Sequence, residues 1–101
     1  EKNQSMGLMR GTFRSTNLEG ASLKGANLNR ALLEFASLKG ADLTNVSFME
    51  SEIAGADLTG ANVTGADFKG ADVNSARIGA MKNADAAKNI DAAKNLDKAY
   101  R

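Results

Sequence analysis

The chain of 101 residues contains no histidine, no cysteine, no proline and no tryptophan. Without His or Cys it cannot assemble a Ser-His-Asp or Cys-His nucleophile, nor a zinc site built on those ligands. The lack of Cys also removes disulfides and thiolate sites, but it does not fix the compartment. The lack of Pro and Trp carries no inference. No apolar stretch approaches the roughly 20 residues of a membrane-spanning helix, so membrane insertion is not expected. No secretory leader pattern is present either. Excess charge of one sign is missing as well: 13 basic residues face 12 acidic ones, a net charge of +1, so nothing marks the chain as nucleic-acid-binding. The balance is uneven along its length. Residues 1–40 hold six basic and three acidic groups, 41–80 two and six, and 81–101 five and three. Glycines recur at steps of five with no GKS or GKT, so there is no phosphate loop. Paired carboxylates for acid–base work would need a pocket, and the filled apolar interior inferred below leaves none. No enzyme activity and no cofactor are expected, and the length is that of one domain.

What is present is one unbroken period. Every fifth residue from 6 to 80 is large and apolar: Leu8, Phe13, Leu18, Leu23, Leu28, Leu33, Leu38, Leu43, Phe48, Ile53, Leu58, Val63, Phe68, Val73 and Ile78. Two places before each sits a mostly small residue, such as Ala21, Ala41, Ala61 and Ala71. Gly is frequent two places after it. On an α-helix, steps of five would point successive Leu about 140° apart. On a continuous strand they would alternate between faces. The pattern works only if the chain bends once per five residues, with the small and large residues both inward and Gly supplying the turn dihedrals. Units this short cannot bury a face alone, so they must stack as a solenoid.

The stretches Gly40-Ala41-Asp42-Leu43, Gly55-Ala56-Asp57-Leu58 and Gly65-Ala66-Asp67-Phe68 resemble the A(D/N)LXX signature of the pentapeptide repeat family. The resemblance covers about three quarters of the chain. It implies an all-β solenoid, a right-handed quadrilateral β-helix with one repeat per side, nearly four coils for residues 6–80 and a rod of roughly 18 Å. Inward residues twenty apart would then form columns, with Phe48 stacked over Phe68. Acidic and Asn residues at outward positions would support turns and side ladders.

Several segments depart from the repeat. Residues 1–5 are polar and read as a frayed N-terminal segment. They are too short to shield the first coil, which suggests missing upstream sequence, an N-terminal partner, or a homodimer through one end of the rod. The start at Glu1 fits a processed product or a piece of a longer chain. Leu32 and Phe35 fall at outward positions on one side, with Met9 and Met49 outward on an adjacent side. These four are the candidate partner-binding residues. Ser51 replaces Ala at an inward position, and a buried hydroxyl there needs a backbone acceptor. The acids Glu50, Glu52, Asp57, Asp67 and Asp72 lie on different sides, so no metal site is expected.

After Ala80 the period changes to Asp85-Ala-Ala-Lys-Asn-Ile90, Asp91-Ala-Ala-Lys-Asn-Leu96 and Asp97-Lys-Ala-Tyr100. Ala richness and the absence of Gly predict an α-helical cap over 81–101. On a helix, Ala86, Ile90, Ala93, Leu96 and Tyr100 share one arc, with a break near Asn89 or Asn95 left open. The cap would lie over Phe68, Val73 and Ile78 as a lid, or alternatively dock a partner.

Two functions follow. The first is a non-enzymatic structural and protein-interaction module, a rod with an unknown protein partner. The second comes only from the resemblance: some family members mimic DNA and shield gyrase, and the acidic stretch 41–80 is the one feature here that fits. Family members occur in cytoplasm, periplasm and thylakoid lumen, so the location stays open.

Overall fold

The computed structural model describes residues 11–101; the segment 1–5 and the residues Met6, Leu8 and Met9 lie outside the described residues. From Gly11 onward the backbone repeats one unit: a small residue, an outward residue, a large residue and a two-residue turn. The turn closes when the N–H opening the next side donates to the carbonyl of the large residue three places back. Ala41 donates to Leu38 at 3.1 Å and Ala61 to Leu58 at 3.0 Å. The second turn residue is left-handed at every corner from Ser15 to Ser75, with φ between 56° and 75°. Such a dihedral crowds a Cβ, which is why seven of these thirteen corners are Gly.

Between corners only three residues are extended, too few for a strand of ordinary length, so the sheet consists of single parallel bridges. As far as Asn62 to Lys82 each bridge joins residues twenty apart: Thr12 to Leu32, Asn17 to Ser37, Ser22 to Asp42, Asn27 to Ser47, and so on up the stack. Four five-residue sides therefore make one coil. The outward residue uses both its backbone groups on the coil before it, as Asp42 does with the Ala21 carbonyl and the Leu23 N–H, each at 2.9 Å. This ladder satisfies buried peptide groups that no helix or long strand serves.

The core follows from the register. Leu28, Leu33, Leu38, Leu43, Phe48, Ile53, Leu58, Val63, Phe68 and Val73 are essentially fully buried, with Leu23 and Ile78 nearly so. Phe13 and Leu18, in the first described coil, are partly buried against them. Phe48 and Phe68, twenty apart, stack with centroids 5.2 Å apart and planes 13° from parallel. Ser51 is fully buried, and its hydroxyl donates to the Phe48 carbonyl at 2.7 Å.

The α-helical cap expected over 81–101 is absent, and this is the main correction to the sequence reading. The chain instead continues the coil with six-residue sides. Bridge spacing grows from 20 at Asn62–Lys82 to 21 at Asp67–Lys88, 22 at Asp72–Lys94 and 23 at Arg77–Tyr100. The coil thus passes Ala80: the bridges link eighteen sides, or four and a half turns, among the described residues. Each wider corner is a left-handed Asn followed by a three-residue 3-10 turn, at Ala84–Ala86, Ile90–Ala92 and Leu96–Lys98. An isolated helix of this length is marginal in water. The coil conformation instead gains ladder bonds, such as Lys88 N–H to the Ala66 carbonyl at 2.7 Å and Phe68 N–H to the Lys88 carbonyl at 2.9 Å. The five residues placed on one helical arc are therefore separated. Ile90, Ala93 and Leu96 pack against the core, whereas Ala86 and Tyr100 are exposed.

Candidate functional site

The outward residues form ladders along the four sides. Asn and Asp at bridge positions accept the backbone N–H two residues on: Thr44 N–H to Asp42, Thr59 N–H to Asp57, Thr64 N–H to Asn62, Lys69 N–H to Asp67 and Asn74 N–H to Asp72, at 3.0–3.1 Å. Each carboxylate or amide thereby holds the corner that follows it. Among the described residues no group of three acidic, His or Cys side chains could hold a metal ion. No helix among them is long and apolar enough to cross a membrane.

The wider final coil adds a feature that the sequence reading missed. Asn83, Asn89 and Asn95 donate their side-chain amides to Asn62, Asp67 and Asp72 of the coil before, at 2.9–3.1 Å. Beside them, Arg77, Lys82, Lys88 and Lys94 bridge to Asp57, Asn62, Asp67 and Asp72, so a ring of four cations, one per side, covers a largely acidic ring. The only signal was the constant phase of Lys-Asn within each six-residue unit. It becomes readable once the side is allowed to grow by one residue.

These contacts set the acid behaviour. The Asp67 carboxyl is held below its ordinary range first by the Asn89 amide, against burial, and further by the Lys69 N–H and the nearby Lys88 and Lys69 charges. Asp42 is lowered by the Thr44 hydroxyl and N–H. At Asp57 burial pushes upward but is outweighed by the Thr59 hydroxyl and N–H, with help from Lys39 and Arg77. A carboxyl that is more acidic folded than unfolded stabilises the fold above its unfolded value and loses that contribution as pH falls through the folded one. The urea midpoint is therefore expected to be flat from pH 7 to about 5 and to drop below about pH 4. Replacing Asp67 with Asn should flatten part of that drop.

Of the four candidate partner-binding residues, the structure brings forward one. Phe35 is 70% exposed, yet it occupies a left-handed corner at φ 62°. Its ring lies over Gly55 in the next coil, where a Cβ would come within 2.5 Å of the ring carbons. Leu32 is half-buried on the ladder between Thr12 and Glu52, and Met49 is half-buried on the preceding side. Met9 lies outside the described residues. Beside Phe35, Glu34 accepts from the Arg14 guanidinium at 3.1 Å. Burial alone would raise the Glu34 carboxyl, but its backbone hydrogen bond and Arg14 together hold it low.

The family model described as pentapeptide repeats matches residues 12–49 and 48–78, in eight copies. Comparison with curated proteins finds no match. Among solved structures, the chain is similar to the pentapeptide repeat protein Rfr23 from the cyanobacterium Cyanothece 51142. The identity is 28% and the TM-score 0.73, over 76% of this chain and 52% of that one. It is also similar to a pentapeptide repeat protein from the Arabidopsis thaliana thylakoid lumen, at 26% identity and TM-score 0.59, over 93% of this chain and 68% of that one. The chain thus spans about half the length of the cyanobacterial protein.

Proposed function

The chain belongs to the pentapeptide repeat family, and on that premise we propose that it is a right-handed, four-sided β-helix that serves as a non-enzymatic protein-interaction module. The observation that carries this reading is Phe35. A bulky aromatic in the left-handed region costs on the order of 1–3 kcal/mol. The fold recovers little of that from a ring left 70% exposed; Gly and Asn at other corners meet the same dihedral more cheaply, and the remaining corners carry Ser15, Ser75, Arg30 and Glu50, all polar. Phe35, with Leu32 beside it, is a site at which a protein partner covers the ring. Enriched aromatic anchors are what such contacts use.

Phe35→Asn keeps a residue that tolerates the corner and removes the ring. Its stability is expected to rise, by up to the roughly 1–3 kcal/mol of strain that Phe35 carries, while capture of the partners retained by wild-type protein falls at least about tenfold, as a ~1.4 kcal/mol hot spot requires. Unchanged capture by a folded variant would remove Phe35 from the reading. A second copy bound at one end of the rod is the alternative partner. Light scattering tests it directly against the 10.6 kDa monomer.

The gyrase-mimic reading gains no support. The acids of 41–80 do not form an uninterrupted negative side, because Arg77, Lys82, Lys88 and Lys94 extend their ladders with positive charge.

A further inference from the structure

The four sides of the coil do not share charge equally. Over residues 31–92, three sides each carry Lys or Arg: Lys39 and Arg77 on one, Lys82 on the next, Lys69 and Lys88 on the third. The remaining side, built from 31–35, 51–55 and 71–75, carries none. It holds three carboxylates instead, Glu34, Glu52 and Asp72. Its ladder runs Thr12, Leu32, Glu52, Asp72 and Lys94, so positive charge returns at the two ends, at Lys94 above and at Arg14 in the corner below.

This acidic side is also the one from which Phe35 projects. Leu32 on its ladder is the one aliphatic residue among the bridge positions. The apolar and acidic features are interleaved. Leu32 bridges directly to Glu52, and the Phe35 ring lies over Gly55, three residues further along. The Glu34 side chain meets the Arg14 guanidinium on one flank and lies within hydrogen-bonding reach of Glu52 on the other. One guanidinium thus already serves this cluster from below. Two carboxylates so close favour a further cation, and the ladder neighbours of Glu52, Leu32 and Asp72, supply none.

The type of cation follows from the ring. A guanidinium is planar, stacks on an aromatic face and pairs with a carboxylate through two hydrogen bonds, which an ammonium does less well. Phe35 offers a ring that is 70% exposed beside those carboxylates. A nucleic acid or an anionic lipid surface would meet three like charges here.

We propose that the Phe35 side docks a protein segment that presents an arginine beside an apolar side chain, with the guanidinium on the Phe35 ring against Glu52 and the apolar group on Leu32. The inference rests on the interaction-module reading and gives its partner a chemistry.

The probe is a random twelve-residue peptide library displayed on phage and selected on the full chain. Arginine next to an aliphatic or aromatic residue is expected to dominate the selected peptides. The most enriched one, made synthetically, is titrated against three variants by fluorescence anisotropy. F35N and E52K are each expected to weaken binding at least about tenfold. Lys already occupies bridge positions at 82 and 94, so E52K suits the coil, and circular dichroism checks its fold. D42N, on the opposite side, should bind like wild type, and added salt should weaken binding. Selected peptides without arginine, an empty selection, or binding that survives E52K would overturn the proposal. Loss of binding in F35N but not in E52K would overturn it and leave the module reading standing, whereas binding that survives F35N removes Phe35 from both. A solution mass of twice 10.6 kDa that falls to one in F35N would place a second copy at this corner and would also overturn it.

Discussion

Replacing Phe48 with alanine is expected to lower the unfolding free energy by about 3–5 kcal/mol, the range for deleting a buried aromatic. Phe48 is fully buried and stacks on Phe68 at 5.2 Å. Loss of that stacking contributes about 0.5–1.5 kcal/mol of the total. The surroundings cannot close the hole cheaply. The coils are held at a fixed spacing by ladder bonds such as Phe48 N–H to the Asp67 carbonyl at 2.8 Å, so collapse would break hydrogen bonds. Against a typical margin of 5–15 kcal/mol, this is a severe loss. Guanidinium unfolding followed by circular dichroism measures it. A loss under about 1 kcal/mol would mean that the column relaxes, and the rigid-spacing argument would fail.

A chain cut after Ala80 is expected to aggregate. The carbonyls of Lys82, Ala86, Lys88, Ala92, Lys94 and Lys98 accept the N–H groups of Val63, Gly65, Phe68, Gly70, Val73 and Ser75, and Tyr100 accepts those of Ile78 and Gly79. Removal of 81–101 strands these donors and uncovers Phe68, Val73 and Ile78, each worth about 1.5–3 kcal/mol when buried. An open edge above an apolar floor also templates association. Light scattering is expected to show aggregates, and a hydrophobic dye should bind where it does not bind the full chain. A folded, monomeric 1–80 would show that the final coil adds nothing to the fold.

Much of the solenoid was legible in the chain because a period of five admits few solutions. Leu38, Leu43 and Leu58 are all fully buried, and the two-apart pairing of Ala with Leu can put both inward only on a three-residue extended piece. Gly at corners was readable for the same steric reason. The tail was not. Ala and Lys have good helix propensity, and the six-residue unit mimics helical spacing over short distances. What overrode propensity was the exposed ladder of the preceding coil, which offers backbone hydrogen bonds to any chain that turns at its corners. Asn83, Asn89 and Asn95 tolerate the left-handed turn and add bonds to Asn62, Asp67 and Asp72. Leu32, Phe35 and Met49 were equally visible as breaks in the outward-polar rule. Only the coil-to-coil register distinguishes a half-buried Leu32 and Met49 from a Phe35 that stands out over Gly55.

By itself, the sequence determined the repeat, the inward residues and the bend in every unit, because these are local steric and hydrophobic choices made within five residues. The tertiary structure alone decided that residues 81–101 extend the coil, that Lys and Asn form a ring over the acids, and that Phe35 stays uncovered. Each of those outcomes depends on a neighbour about twenty residues away. Its position is set by the stacking of whole coils rather than by any property of the segment itself.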